Sequence, residues 1–155
     1  MKDSLVDDLR MDYAGKGGYS MRRWNETIID AACYQEELAY LVNIDSSSSE
    51  PVGAGKVAAF FQEQYEQLGW QVEPLQLAPS IGPCLKITNG PAAHYDLLLL
   101  AHLDTVFPLG TAAKRPFSRH GNRAMGPGVI DCKGGALSGL YVLRTLQEHD
   151  LLRNK

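Results

Sequence analysis

Residues 95–106 read YDLLLLAHLDTV, four consecutive leucines that pass directly into a histidine and an aspartate. An unbroken apolar run of this kind predicts a strand covered on both faces, the pattern of a central strand in an α/β sheet. Alternation along such a strand puts His102 and Asp104 on one side, at the carboxyl end where α/β sheets gather their ligands. A histidine beside a carboxylate is the pairing of many metal sites, with one ring nitrogen binding and the other oriented. The same triplet also suits a histidine that closes a strand end against a nearby acid.

The flanking sequence supplies helices and further strands. Over residues 28–44, Ile28, Ala31, Ala32, Leu38, Leu41 and Val42 approximate one helical face. The DSSSSE tract at 45–50 breaks that helix, because aspartate and serines satisfy local backbone groups. Pro51 suits the first turn of a second helix, which runs to about Leu68 and stops at Gly69. A ragged extended segment from Trp70 to Leu77 follows, placed at an edge by Pro74. Residues 84–88, CLKIT, alternate as a half-buried strand does. Beyond the leucine run, a Gly- and Pro-rich loop covers 107–133. A third helix then begins at Gly134 and Gly135, carries Leu137, Leu140, Tyr141 and Leu146, and ends near Leu152. Interleaved helices and strands predict an α/β layered class.

A second cluster bears on chemistry. Residues 126–135, GPGVIDCKGG, place Asp131 between two glycine-rich turns at a helix start. Glycine permits main-chain paths closed to other residues, so Asp131 can be aimed into a site. It can equally be an ordinary acid at a helix N-terminus. Lys133 beside it either orients Asp131 or points to water.

Composition bounds the rest. The chain has 155 residues, 45% hydrophobic and 21% charged, which fits one ordinary globular domain and excludes disorder over most of its length. Residues 1–25, with Gly15, Gly17 and Gly18 among mixed charges, read as a loosely ordered extension ahead of a domain over 26–155. A net charge of -3 without a basic run disfavours a nucleic-acid partner. No apolar run approaches the ~20 residues of a membrane helix. The acidic start, MKDSLVDDLR, is unlike a signal peptide. Three cysteines without a CxxC pair argue against a disulfide framework or zinc ribbon and for a reducing cytoplasm. Gly53-Ala54-Gly55-Lys56 lacks the spacing and preceding strand of a phosphate loop.

Taken together, residues 97–135, LLLLAHLDTVFPLGTAAKRPFSRHGNRAMGPGVIDCKGG, closely resemble the M20 family of metallopeptidases, especially its glutamate carboxypeptidase branch. Residues 41–70 are similar to the N-terminal region of that family, and the resemblance spans about residues 30 to 152. It implies a helix/sheet/helix domain of the zinc-dependent exopeptidase type, incomplete at its C-terminus and without the lid and dimerisation domain. It also implies a two-zinc hydrolase acting on a peptide or N-acyl amino acid. By the same resemblance His102 matches a ligand of one zinc and Asp104 the catalytic aspartate that orients its ring. Asp131 matches the carboxylate bridging both metals and is followed by a cis peptide. Cys132 departs from the family, where methionine or aspartate is usual.

The family's Glu-Glu pair, one further acidic ligand and a late histidine match no position here. Glu148 and His149 are poor substitutes and read as solvated, while His94 and His120 read as solvent-facing or turn-forming. With two direct ligands instead of the usual three or four, zinc would be held weakly. The isolated chain is therefore expected to show little hydrolase activity and to self-associate through an exposed sheet edge. The alternative is a non-catalytic truncated fragment or an interaction module.

Overall fold

The computed structural model of the chain describes residues 29–91, 94–95 and 97–152. The extension expected over residues 1–25 lies outside them. The first helix, α1 (Ala31–Val42), starts where Asp30 turns its carboxylate onto the amides of Ala32 and Cys33, at 2.9 and 3.1 Å. A side-chain oxygen there satisfies two of the amides that a helix start leaves unpaired. The second, α2 (Pro51–Gln67), has Pro51 at its first position and the Glu50 carboxylate on the amide of Val52. Gly69 follows with φ 78°, the left-handed conformation that ends the helix.

Both extended segments flanking residue 80 form. β1 (Gln71–Leu75) pairs antiparallel with β2 (Cys84–Thr88), Pro74 opposite Leu85. A proline is tolerated because this ladder has two strands only and each is an edge. The last helix, α4 (Lys133–Glu148), lies against α1, while α2 packs on β1 and β2. Leu41, Val42, Val57, Phe61, Leu137 and Leu140 centre the core that the three long helices share. The described residues are thus of mixed α/β class. No helix among them is long and apolar enough to cross a membrane.

Two parts of the sequence reading need correction. Residues 97–104 form no strand: neither two-stranded sheet includes them, and Leu97, Leu98, Leu99 and Leu100 are 64%, 76%, 52% and 85% exposed. An apolar run becomes a central strand only beside hydrogen-bonding neighbours, and among the described residues it has none. The loop over 107–133, conversely, contains structure. A four-residue turn of helix, α3 (Thr111–Lys114), is followed by a hairpin of β3 (Ser118–His120) and β4 (Arg123–Met125). Gly121, with φ 59°, supplies its turn.

The polar tract after α1 ties this region together. The Asp45 carboxylate accepts from the amides of Gly110 and Ala112, both at 2.8 Å, and so fixes the start of α3. Asn43 accepts from the amide of Phe117 at 2.8 Å. Ser47 and Thr105 form a parallel bridge, with the Thr105 amide on the Ser46 carbonyl at 2.7 Å. The serines read as a helix breaker are also the anchor for the end of the leucine run.

Candidate metal centre

His102, Asp104 and Asp131 meet at one point of the surface, although 29 residues separate the first from the last. The His102 ring is gripped from both sides. Its Nδ1 lies 2.9 Å from the Asp104 carbonyl oxygen and 3.3 Å from Asp104 Oδ1. Its Nε2 lies 2.8 Å from Asp131 Oδ1. His102 and Asp104 are thus neighbours, as expected, though in a segment that is not a strand. The Asp131 side chain is 85% exposed and that of His102 48%, so both face solvent.

Asp131 reaches this point through the glycine-rich turns. Gly128 has φ 80°, and its carbonyl accepts from the amide of Lys133 at 2.9 Å. Gly134 lets the first turn of α4 close on the preceding loop, since a Cβ there would stand 2.2 Å from the Val129 carbonyl oxygen. The Asp131–Cys132 peptide is cis, as the family resemblance implied. Cys132 occupies the cap position of α4 without a side-chain cap bond, and the Asp131 carboxylate serves His102 rather than the helix start.

The electrostatics follow from these contacts. The Asp131 carboxylate, with help from Asp104, holds the His102 ring above the usual imidazole pKa, against the opposing effect of burial. The Ser48 hydroxyl, together with the His102 ring, holds Asp104 below the usual carboxylate range. Two acids around one imidazole make a point where a cation is favoured.

Lys133 takes neither role open to it in the sequence. It is 1% exposed and turned away from Asp131, and its Nζ donates to the carbonyls of Leu41 and Ile44 at 2.9 and 2.7 Å. It closes the C-terminal end of α1, where the helix dipole favours a cation. Burial pushes its ammonium down to about 8, partly offset by Asp45. Glu148 and His149 lie at the far end of α4, about 24 Å along the helix by its rise per residue. His94 and His120 are exposed. Ser48 was missed by sequence reasoning; the only signal was a serine tract long enough to do more than end a helix.

The donor chemistry suits a divalent metal of intermediate softness. An imidazole nitrogen and a carboxylate oxygen converge within hydrogen-bond distance, and each is a common zinc donor. They amount to two ligands, because among the described residues no three His, Cys, Asp or Glu side chains are arranged so that they could hold a metal ion together. A cavity of about 790 Å³ opens beside them, lined by His102, Asp104 and Cys132 at the polar end and by Leu85, Ile87 and Leu99 among its apolar walls.

Comparison with known proteins points the same way. Residues 98–155 match the model of peptidase family M20/M25/M40, a span that includes His102, Asp104 and Asp131. The chain is 33% identical over 117 residues to carboxypeptidase G2 of Pseudomonas sp. (strain RS-16), covering 72% of this chain and 27% of that relative. The chain thus spans about a quarter of the length of the curated relative it matches.

Proposed function

We propose, from the match of residues 98–155 to the model of peptidase family M20/M25/M40, that this chain carries part of a two-zinc site for hydrolysing a peptide or N-acyl amino acid amide bond. His102 Nε2 and the Asp131 carboxylate would hold the metal. Asp104 keeps the imidazole turned so that Nε2 faces Asp131. When bound, zinc supplies Lewis-acid polarisation of the scissile carbonyl and an activated water at neutral pH. The layered exopeptidase fold belongs to this proposal. So does a cytoplasmic setting, which three unpaired cysteines favour, as does a peptide-like substrate instead of nucleic acid or membrane. Self-association through the open edges completes it.

The observation that carries the reading is the 2.8 Å approach of His102 Nε2 to Asp131 Oδ1, with Nδ1 already engaged by Asp104. A second reading, of a chain that binds zinc without turning over substrate, is favoured by the count of two donors where a working site has three or four. Zinc titration of the purified chain by calorimetry, with an N-acyl glutamate hydrolysis assay alongside, tests both. Zinc uptake that disappears in His102→Ala and in Asp131→Ala supports the site. Absence of uptake by the unaltered chain contradicts it. Robust hydrolysis by this chain would refute the second reading.

A further inference from the structure

We infer that the cavity of about 790 Å³ beside His102 receives the acyl side of the substrate, and that the acyl group it takes is an uncharged, apolar chain. The inference rests on the reading that places the scissile amide at His102 and Asp131. The cavity falls within the size range of small-molecule pockets, roughly 300–1,000 Å³. Its apolar walls come from three parts of the fold: Leu85 and Ile87 of β2, Phe61 and Tyr65 of α2, and Leu99 of the leucine run. Lys86, between the two β2 residues, points the other way and pairs with Glu73 at 2.9 Å. Charge then decides what can enter. Among the described residues no lysine or arginine lines the cavity, and His102 is already engaged by Asp104 and Asp131. A carboxylate placed inside would lose its hydration without gaining a free cation, a cost that apolar walls do not offset. The carboxylates of an N-acyl glutamate therefore stay outside, and only its acyl chain enters.

Small residues on α4 make the room. The helix presents Gly135, Ala136 and Gly139 to the cavity. A Cβ on Gly139 would meet only Leu99 Cδ1, at 3.8 Å, so a larger side chain there extends into the cavity and displaces no backbone. On the opposite side, a Cβ on Gly82 would stand 2.5 Å from that of Ala54, so the connection between β1 and β2 lies directly on α2 and bounds the cavity.

The test measures binding of N-acetyl-, N-butanoyl- and N-hexanoylglutamate to the chain by calorimetry, with and without added zinc. Affinity should rise about threefold to fourfold per added methylene. Gly139→Leu, which fills the space, should weaken hexanoyl binding about tenfold or more, leave acetyl binding unchanged and keep the thermal midpoint at or above that of the unaltered chain. Leu98→Lys, at a leucine outside the cavity lining, should change none of these. Equal affinity for the acetyl and hexanoyl compounds would overturn the inference, as would hexanoyl binding that survives Gly139→Leu or is lost in Leu98→Lys. If Gly139→Leu unfolds the chain, the chain-length series in Leu98→Lys decides instead. Zinc uptake by the same samples separates the two readings. Chain-length dependence without zinc uptake removes the metal reading and keeps the acyl-binding cavity, whereas zinc uptake without chain-length dependence removes the cavity assignment alone.

Discussion

Lys133 shows how a residue two positions from a carboxylate proposed as a zinc donor can belong entirely to the fold. Its Nζ satisfies two carbonyls at the end of α1, and a buried carbonyl without a partner costs about 1–3 kcal/mol. Lys133→Met keeps the aliphatic volume but removes both donations. It should lower stability by about 2 kcal/mol in urea unfolding, with the slope of the transition unchanged. Tyr65 and Tyr141 make a second prediction at this scale. Burial raises both phenols above the ordinary tyrosine value, with Arg144 opposing it at Tyr65 and the Cys33 and Glu37 side chains adding to it at Tyr141. A folded pKa above the unfolded one, about 10, means that ionisation favours the unfolded chain. Their contribution is complete below pH ~10 and is lost as pH rises through the folded values. Denaturant midpoints should fall between pH 9 and pH 11.5, and less steeply in Tyr65→Phe.

Among the elements, α2 owes its position to one glycine. A Cβ on Gly53 would stand 1.7 Å from the Asp45 carbonyl oxygen, so the first turn of the helix lies directly on the backbone of the tract that anchors Thr105. At Gly55, two residues on, a Cβ meets only the Pro83 ring at 3.8 Å. Gly53→Ala should therefore cost about 1–3 kcal/mol as backbone shifts to relieve the clash. Gly55→Ala should be neutral or gain up to about 1 kcal/mol from helix propensity. Thermal midpoints of the two variants, moving in opposite directions or by clearly different amounts, check this.

The elements also differ in how far they could be read from the sequence. The helices announced themselves because α1, α2 and α4 each bury one face, so Leu38, Leu41, Val57, Phe61, Leu137 and Leu140 recur at helical spacing. Pro51 and Gly69 marked ends by backbone chemistry that acts locally. The hairpin of β3 and β4 was hidden because its strands are three residues each, polar and largely exposed, with no burial to impose alternation. Residues 97–104 were misread for the opposite reason: their composition suits a strand, but strand formation depends on a neighbour that composition cannot report. The convergence of His102, Asp104 and Asp131 was legible through the family resemblance, since spacing and glycine placement alone left ordinary structural readings open. Ser48 and Lys133 were not, since their roles depend on which carbonyl or carboxylate folding brings near.

For the molecule as a whole, the exposed leucine run faces a second open edge. Among the described residues β2 pairs on one side only, and a cavity of about 790 Å³ separates it from residues 99–104. Unpaired backbone beside uncharged leucines is a template for association, and a net charge of -3 offers little repulsion against it. Leu98→Lys with Leu100→Lys, both on side chains over 75% exposed, should shift the chain towards monomer in concentration-dependent light scattering. The substitutions should leave the thermal midpoint within a degree or two.

If His102 and Asp131 are donors to one zinc ion, crystals grown with zinc reveal it through anomalous scattering at the metal's absorption edge. The expected result is a zinc peak within about 2.0–2.2 Å of both His102 Nε2 and an Asp131 carboxylate oxygen, with His102 Nδ1 still on Asp104. A peak elsewhere, or none between these two side chains, would contradict it.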